Sequence, residues 1–198
     1  MNLSPARADV MAELLNVGLG HAAGTLNEMI GVPIRLEVPS VELLAPSEIM
    51  EAYADEIGKR AASIAIGFSG GLEGSAALLF PAESAGALIE ALSAGGKAAD
   101  EEEELDILGE LGNVVLNSVM GGMANELQHH LVFSVPVAGF QSVAALVEGD
   151  TSDPNNRLLF ARAGFTVSGL TVWGCIALLL QIQSVETLLV RLDELVEE

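Results

Sequence analysis

Apolar positions along the chain change period several times, and each change marks an element. Over the first thirty residues Val10, Met11, Leu14 and Val17 recur at helical spacing, opposed by Asp9, Glu13 and Asn16. That pattern predicts a helix that starts at Ser4 as N-cap, carries Pro5 at its first position, and stops at Gly31. A second long helix is expected to begin in Asp100-Glu101-Glu102-Glu103-Glu104, where carboxylates offset the positive end of the helix dipole. It sets Leu108, Leu111 and Val115 against Asp106, Glu110 and Asn113.

After each helix the pattern turns apolar and β-branched, which predicts strands: Ile34 to Leu44, Ala62 to Phe68 and Gly74 to Phe80, then Leu131 to Val147, Leu158 to Val167 and Thr171 to Ile182. Ser69-Gly70-Gly71 and Ser168-Gly169 supply turns for antiparallel hairpins. Pro46 to Gly58 suits a short helix, and Ala82 to Ala94 and Ser184 to Val196 suit closing helices.

The order repeats because the sequence repeats. Asp9, Glu13 and Asn16 return as Asp106, Glu110 and Asn113, each 97 residues later, and the same offset carries Pro39 to Pro136. Both halves therefore read D-x3-E-x2-N-x22-P. Farther on, Gly74 to Phe80 matches Gly174 to Leu180 at an offset of 100, and Ser84, Leu88 and Leu92 fall on Ser184, Leu188 and Leu192. A net insertion of three residues accounts for the change, with the acidic cluster Glu148 to Asn156 as its expected place. The expected architecture is α+β: one domain of two repeats, about 1–98 and 99–198, joined near Gly95-Gly96-Lys97. The strands of both repeats share a pseudo-two-fold antiparallel sheet, and the two long helices bear the polar lines.

Composition narrows the function. The 198 residues are 51 % hydrophobic, and 28 Asp and Glu stand against 8 Lys and Arg, a net charge of −20. Such a chain has enough apolar material to fold and too little positive charge to bind nucleic acid through phosphates. Its single cysteine, Cys175, lies in an apolar run and is expected to be a buried core thiol. The start has no secretory pattern, and the uncharged run Ala163 to Val185 reads as two strands rather than a membrane span. A cytoplasmic, protein-facing role is expected.

At four- and three-residue spacing, Asp9, Glu13 and Asn16 share one face of a helix, as do Asp106, Glu110 and Asn113. A polar line is ordinarily the wet face of an amphipathic helix. Two copies point further, because Asn has mediocre helix propensity and yet recurs at the same position in each. Nothing else offers chemistry. His21, His129 and His130 lack metal-ligand spacing, the glycines from Gly67 to Gly74 lack the lysine and hydroxyl of a phosphate loop, and Trp173 reads as core.

The motif, its long spacing to proline and its duplication resemble the CheC branch of the CheC/CheX/FliY family of chemotaxis phosphatases over essentially the whole chain, with a spacer one residue longer in both halves. The resemblance implies dephosphorylation of a phosphorylated CheY-type response regulator. Asn16 and Asn113 would position the attacking water, Glu13 and Glu110 would pair with a lysine of the regulator, and Asp9 and Asp106 would support them. It implies no cofactor or metal of the chain's own, since the aspartyl phosphate and its Mg²⁺ belong to the regulator. The alternative is a non-catalytic adaptor for the receptor deamidase CheD, which is also a candidate partner of the enzyme, or for the flagellar switch. Both asparagines are expected to be exposed. Gly18 and Gly20 follow the first motif where Val115 and Asn117 follow the second, so the two sites are expected to differ.

Overall fold

The structure is a computed structural model that describes residues 3–93, 98, 100–142, 144–145 and 157–197. Helix α1 (Pro5–Ile30) starts where predicted, with the Ser4 hydroxyl accepting from Arg7 N–H and Gly31 closing it at φ +73°. It leads into β1 (Ile34–Leu44), α2 (Pro46–Ile57), the hairpin of β2 (Ala61–Gly70) and β3 (Gly74–Pro81), and α3 (Ala82–Leu92). The second half again opens on a long helix and closes on a hairpin and a helix, with two short strands where the first half has one. Helix α4 (Glu101–Glu126) is capped by the Asp100 carboxylate, which accepts from Glu103 N–H at 3.1 Å. Strands β4 (Leu131–Phe133), β5 (Val137–Gln141), β6 (Arg157–Val167) and β7 (Leu170–Leu180) follow, and then α5 (Ile182–Glu197). Ser168 and Gly169 turn the β6–β7 hairpin with both φ positive, the form that matches strand twist.

One difference from expectation is the run from Leu131, which is not one strand but two short ones separated by Ser134, Val135 and Pro136. The linker at Gly95 to Lys97 and the acidic cluster from Glu148 lie outside the described residues.

All seven strands form a single antiparallel sheet in the order β1-β6-β7-β3-β2, with β4 and β5 end to end along the outer edge of β2. At its centre β3 pairs with β7, and Ala77 faces Ala177, residues 100 apart. That pairing sets a pseudo-two-fold axis through the middle of the sheet. The first strand of each half does not join its own hairpin: β1 pairs with β6, and β4 and β5 pair with β2.

Helices α1, α3, α4 and α5 cover one face and share the main core with it. Helix α2 covers part of the other face, over Leu158, Phe160, Cys175 and Leu179. Cys175 is wholly buried, and burial pushes its thiol up to about 12, out of reach of nucleophilic chemistry at neutral pH. Trp173 lies at the margin of that second cluster, beneath the Arg162 guanidinium, rather than at a core centre.

The two long helices pack backbone to backbone. A Cβ on Gly18 would lie 2.5 Å from the Val119 Cα, and one on Gly122 would lie 3.4 Å from the Gly18 Cα. Gly112 makes room on α4 for the Ile64 side chain of β2, since a Cβ there would stand 2.7 Å from it. Val17 stands exposed at 39 %, against the sequence expectation that it turns inward. Gly18→Ala is therefore expected to lower unfolding free energy by roughly 1–3 kcal/mol in urea titration, because backbone has to move to admit the methyl group. Gly20→Ala, where nothing lies within 4 Å, should be neutral or raise stability by up to about 1 kcal/mol.

Candidate functional site

The second motif opens onto a groove. Helix α4 forms one wall with Glu101, Asp106, Glu110 and Asn113, and the edge of the sheet forms the other with Pro136 and Ala138, enclosing about 750 Å³. The wall spacing has local causes. Gly109 leaves α4 in ordinary contact with Ala138, since a Cβ there would be 3.7 Å from the alanine's Cβ. Arg60, just ahead of β2, stacks 4.0 Å over the Phe140 ring and bonds Glu101 at 2.7 Å, tying the start of α4 to β5. Asp106, Glu110 and Asn113 are all exposed on that face. Asn117, one turn beyond, donates from Nδ2 to the Asn113 side-chain oxygen at 2.6 Å and to its backbone oxygen at 2.8 Å. The Asn113 amide is thus held by a neighbour on its own helix, with its NH₂ and one lone pair of Oδ1 left for a ligand.

The first motif is arranged differently. Asp9 and Glu13 are exposed, but Asn16 is half-buried and committed to β1. Its Nδ2 donates to Val38 O at 2.9 Å, and Val38 N–H donates to its Oδ1 at 2.7 Å. Asn27, three turns on, repeats the clamp: Ile34 N–H donates to its Oδ1 at 2.6 Å, and its Nδ2 reaches Ile34 O at 3.5 Å. The expectation that both motif asparagines are exposed holds for Asn113 and fails for Asn16.

A shared irregularity explains the difference. Beside β6 the register steps from Glu37 opposite Gly164 to Ser40 opposite Arg162, a bulge that takes Val38 and Pro39 off the ladder. Beside β2 it steps from Phe133 opposite Phe68 to Val137 opposite Ala65, with Val135 and Pro136 off the ladder. In the first half Val38 turns inward, 2 % exposed, and its orphaned N–H and C=O are satisfied by Asn16. In the second half Ser134 stands where the first has Glu37. Its N–H donates to Gly67 O at 2.9 Å, and its hydroxyl accepts from Gly67 N–H at 2.9 Å. Those bonds hold the strand to β2 and send Val135 outward to 82 % exposure, away from α4. The proline of each motif marks this bulge.

Sequence reasoning missed three parts of this arrangement: Asn27 as a second clamp, Ser134 as the residue that redirects the bulge, and Asn117 as the support of Asn113. The only available signal was the failure of these positions to repeat, since their counterparts are Ala124, Glu37 and Gly20. Among the described residues no group of three or more His, Cys, Asp and Glu could hold a metal ion, and no helix is long and apolar enough to cross a membrane. What the groove offers chemically is a neutral amide and a carboxylate one turn apart, suited to positioning a molecule rather than attacking it.

Removing each amide should have unequal consequences for stability. Asn16→Ala is expected to lower unfolding free energy by roughly 1–3 kcal/mol, because it strands the Val38 N–H and C=O. Asn113→Ala should stay within about 0.5 kcal/mol of the parent, as an exposed substitution does. Urea unfolding of the two variants side by side checks both.

A family model described as chemotaxis phosphatase CheX matches residues 62–145, a span that contains the second motif through Pro136 and not the first. The CheY-P phosphatase CheC of Bacillus subtilis (strain 168) is 28 % identical over 146 residues, covering 70 % of this chain and 68 % of that one. The crystal structure of Thermotoga maritima FliY shares the fold with a TM-score of 0.73 at 20 % identity, over 98 % of this chain and 99 % of the other. The FliM middle domain from H. pylori shares it with a TM-score of 0.67 at 11 % identity, over 95 % and 99 %.

Proposed function

This chain is a relative of the CheC/CheX/FliY family of chemotaxis proteins, and on that premise we propose that it accelerates hydrolysis of an aspartyl phosphate on a CheY-type receiver through its second motif. The observation that carries the reading is the contrast between the two asparagines: Asn113 stands exposed in an open groove beside Glu110, whereas Asn16 is spent on the bulge of β1. The family match over the second motif alone supports the same choice.

In this reading the receiver seats its phosphoryl site over α4. Glu110 docks a lysine of the receiver, one turn before the amide and clear of the phosphorus. The Asn113 amide holds a water in line with the bond from phosphorus to the aspartyl oxygen. Water oxygen attacks phosphorus, that bond breaks, and the products are inorganic phosphate and the free carboxylate of the receiver. Phosphoryl transfer gains chiefly from positioning and charge stabilisation, so the chain needs neither a nucleophile nor a cofactor of its own. The Mg²⁺ that balances charge comes with the receiver. An amide is apt here because a carboxylate at position 113 would repel both the phosphoryl oxygens and the incoming nucleophile. Asn117 fixes the amide, and Asp106 supports the polar line.

Decay of a phosphorylated CheY-type receiver, with the chain at sub-stoichiometric amounts and Mg²⁺ present, tests the proposal. Asn113→Ala should cut the acceleration by on the order of 10²-fold. Asn16→Ala, assayed well below its unfolding midpoint, should retain most of it. Equal losses from the two variants would sink the assignment to the second motif, and receiver binding without acceleration would make the chain a non-catalytic adaptor.

A further inference from the structure

The two edges of the sheet are equivalent in position and different in surface. The 97-residue offset that relates the motifs puts Arg35, Val38 and Ser40 of β1 at the places of Val132, Val135 and Val137. The pairings agree. Arg35 faces Thr166 and Ser40 faces Arg162, while Val132 faces Ser69 and Val137 faces Ala65, and those partners are themselves 97 residues apart. Strand β1 turns Arg35, Glu37, Ser40 and Glu42 outward, the charged and polar surface that protects an edge from stray pairing. The other edge exposes valine instead: Val132 at 57 %, Val135 at 82 % and Val137 at 70 %.

The fold does not demand these valines, because the matching positions of β1 take arginine and serine. Strand propensity does not explain them either, since the same preference operates on β1 and is not used at Arg35 or Ser40. Among the described residues no strand pairs with the outer side of β4 or β5. What sets this edge apart is its neighbour. Pro136, which stands between Val135 and Val137, lines the groove that holds Glu110 and Asn113. Consecutive Cα atoms are about 3.8 Å apart, so the valines begin where the lip of the groove ends.

We propose that Val135 and Val137 form an apolar docking ridge for the same receiver that presents its phosphoryl group to Asn113; this rests on the reading of the second motif given above. Two arguments select that occupant. The first is continuity. A stable protein interface buries about 800 Å² on each partner, so a receiver seated over Asn113 reaches past both walls of the groove, and past Pro136 it meets the valines. The second is charge. The α4 wall presents Glu102, Asp106 and Glu110, exposed carboxylates that steer and orient a partner and add little affinity of their own. An interface sets an apolar centre beside a polar rim, and the valines supply the apolar part next to this acidic one. The receiver face that fits is apolar on one side of its phosphorylation site and basic on the other.

The test makes the ridge polar without touching Glu110, Asn113 or the charge of α4. V135S/V137S, with a urea midpoint matching the parent's, is expected to raise KM for a phosphorylated CheY-type receiver about tenfold, with kcat within about twofold. V135T/V137T, which keeps the shape and strand propensity of valine, should raise KM about threefold. Both ratios should persist at high salt, where screening of the carboxylates weakens parent and variants alike. Val190→Ser, at a valine 59 % exposed on α5 and outside the groove, should leave KM unchanged. Unchanged KM in both ridge variants, with the parent active, overturns this proposal alone. A parent that self-associates, and that V135S/V137S dissociates with KM unmoved, overturns it in favour of a second copy of the chain on this edge. Binding of the receiver without dephosphorylation overturns the phosphatase reading, and the tenfold ratio is then read in Kd. A parent that neither binds nor dephosphorylates the receiver overturns both readings together.

Discussion

The backbone contact between α1 and α4 is the constraint on which the rest depends. With Gly18 against Val119 and Gly122, the long helices pack main chain to main chain, and Gly112 seats α4 on the Ile64 side chain of β2. Helices in that position have no freedom to rotate. Their apolar stripes face the sheet and each other, and the motif carboxylates are turned outward, on separate flanks of the molecule. A side chain at Gly18 or Gly112 would press the layers apart and move the motif relative to the sheet edge with which it shares a groove.

Given that frame, the two motifs have diverged through their neighbours rather than themselves. Asp, Glu, Asn and Pro are retained in both, and so is the one-residue bulge at the proline. What differs is which group satisfies the bulge. Where Glu37 precedes it, the strand leans on the helix and consumes the Asn16 amide; where Ser134 precedes it, the strand leans on β2 and leaves Asn113 to Asn117. A buried backbone group must find a partner, and the identity of that partner decides whether an asparagine is structural or available.

Much of this was legible in the sequence. Ser4 with Pro5, Asp100 with its following glutamates, and Gly31 marked helix ends because caps are local chemistry. The alternating and β-branched runs marked the strands, and the 97- and 100-residue offsets anticipated the symmetry that pairs Ala77 with Ala177. The two asparagines were not separable, since their difference comes from strands 22 and 21 residues downstream that bond in opposite directions: Asn16 to Val38, and Ser134 to Gly67. The break at Ser134 to Pro136 was hidden for the same reason, as an apolar run does not declare where its hydrogen bonds go. Nor does periodicity say which hairpin a first strand will join.

That exchange of first strands has a bearing on how the chain is made. Strand β1 emerges from the ribosome more than a hundred residues ahead of β6, the strand that completes its ladder. Until then, the leading half can form its helices and its own hairpin, but β1 has an unpaired edge. Contacts so distant in sequence carry a large loop-closure cost, which places this sheet among slowly completed ones and leaves a sticky nascent edge in the meantime. The charged and polar side chains along β1, Arg35, Glu37, Ser40 and Glu42, sit on the very strand that has longest to wait, where they discourage it from pairing with the wrong neighbour.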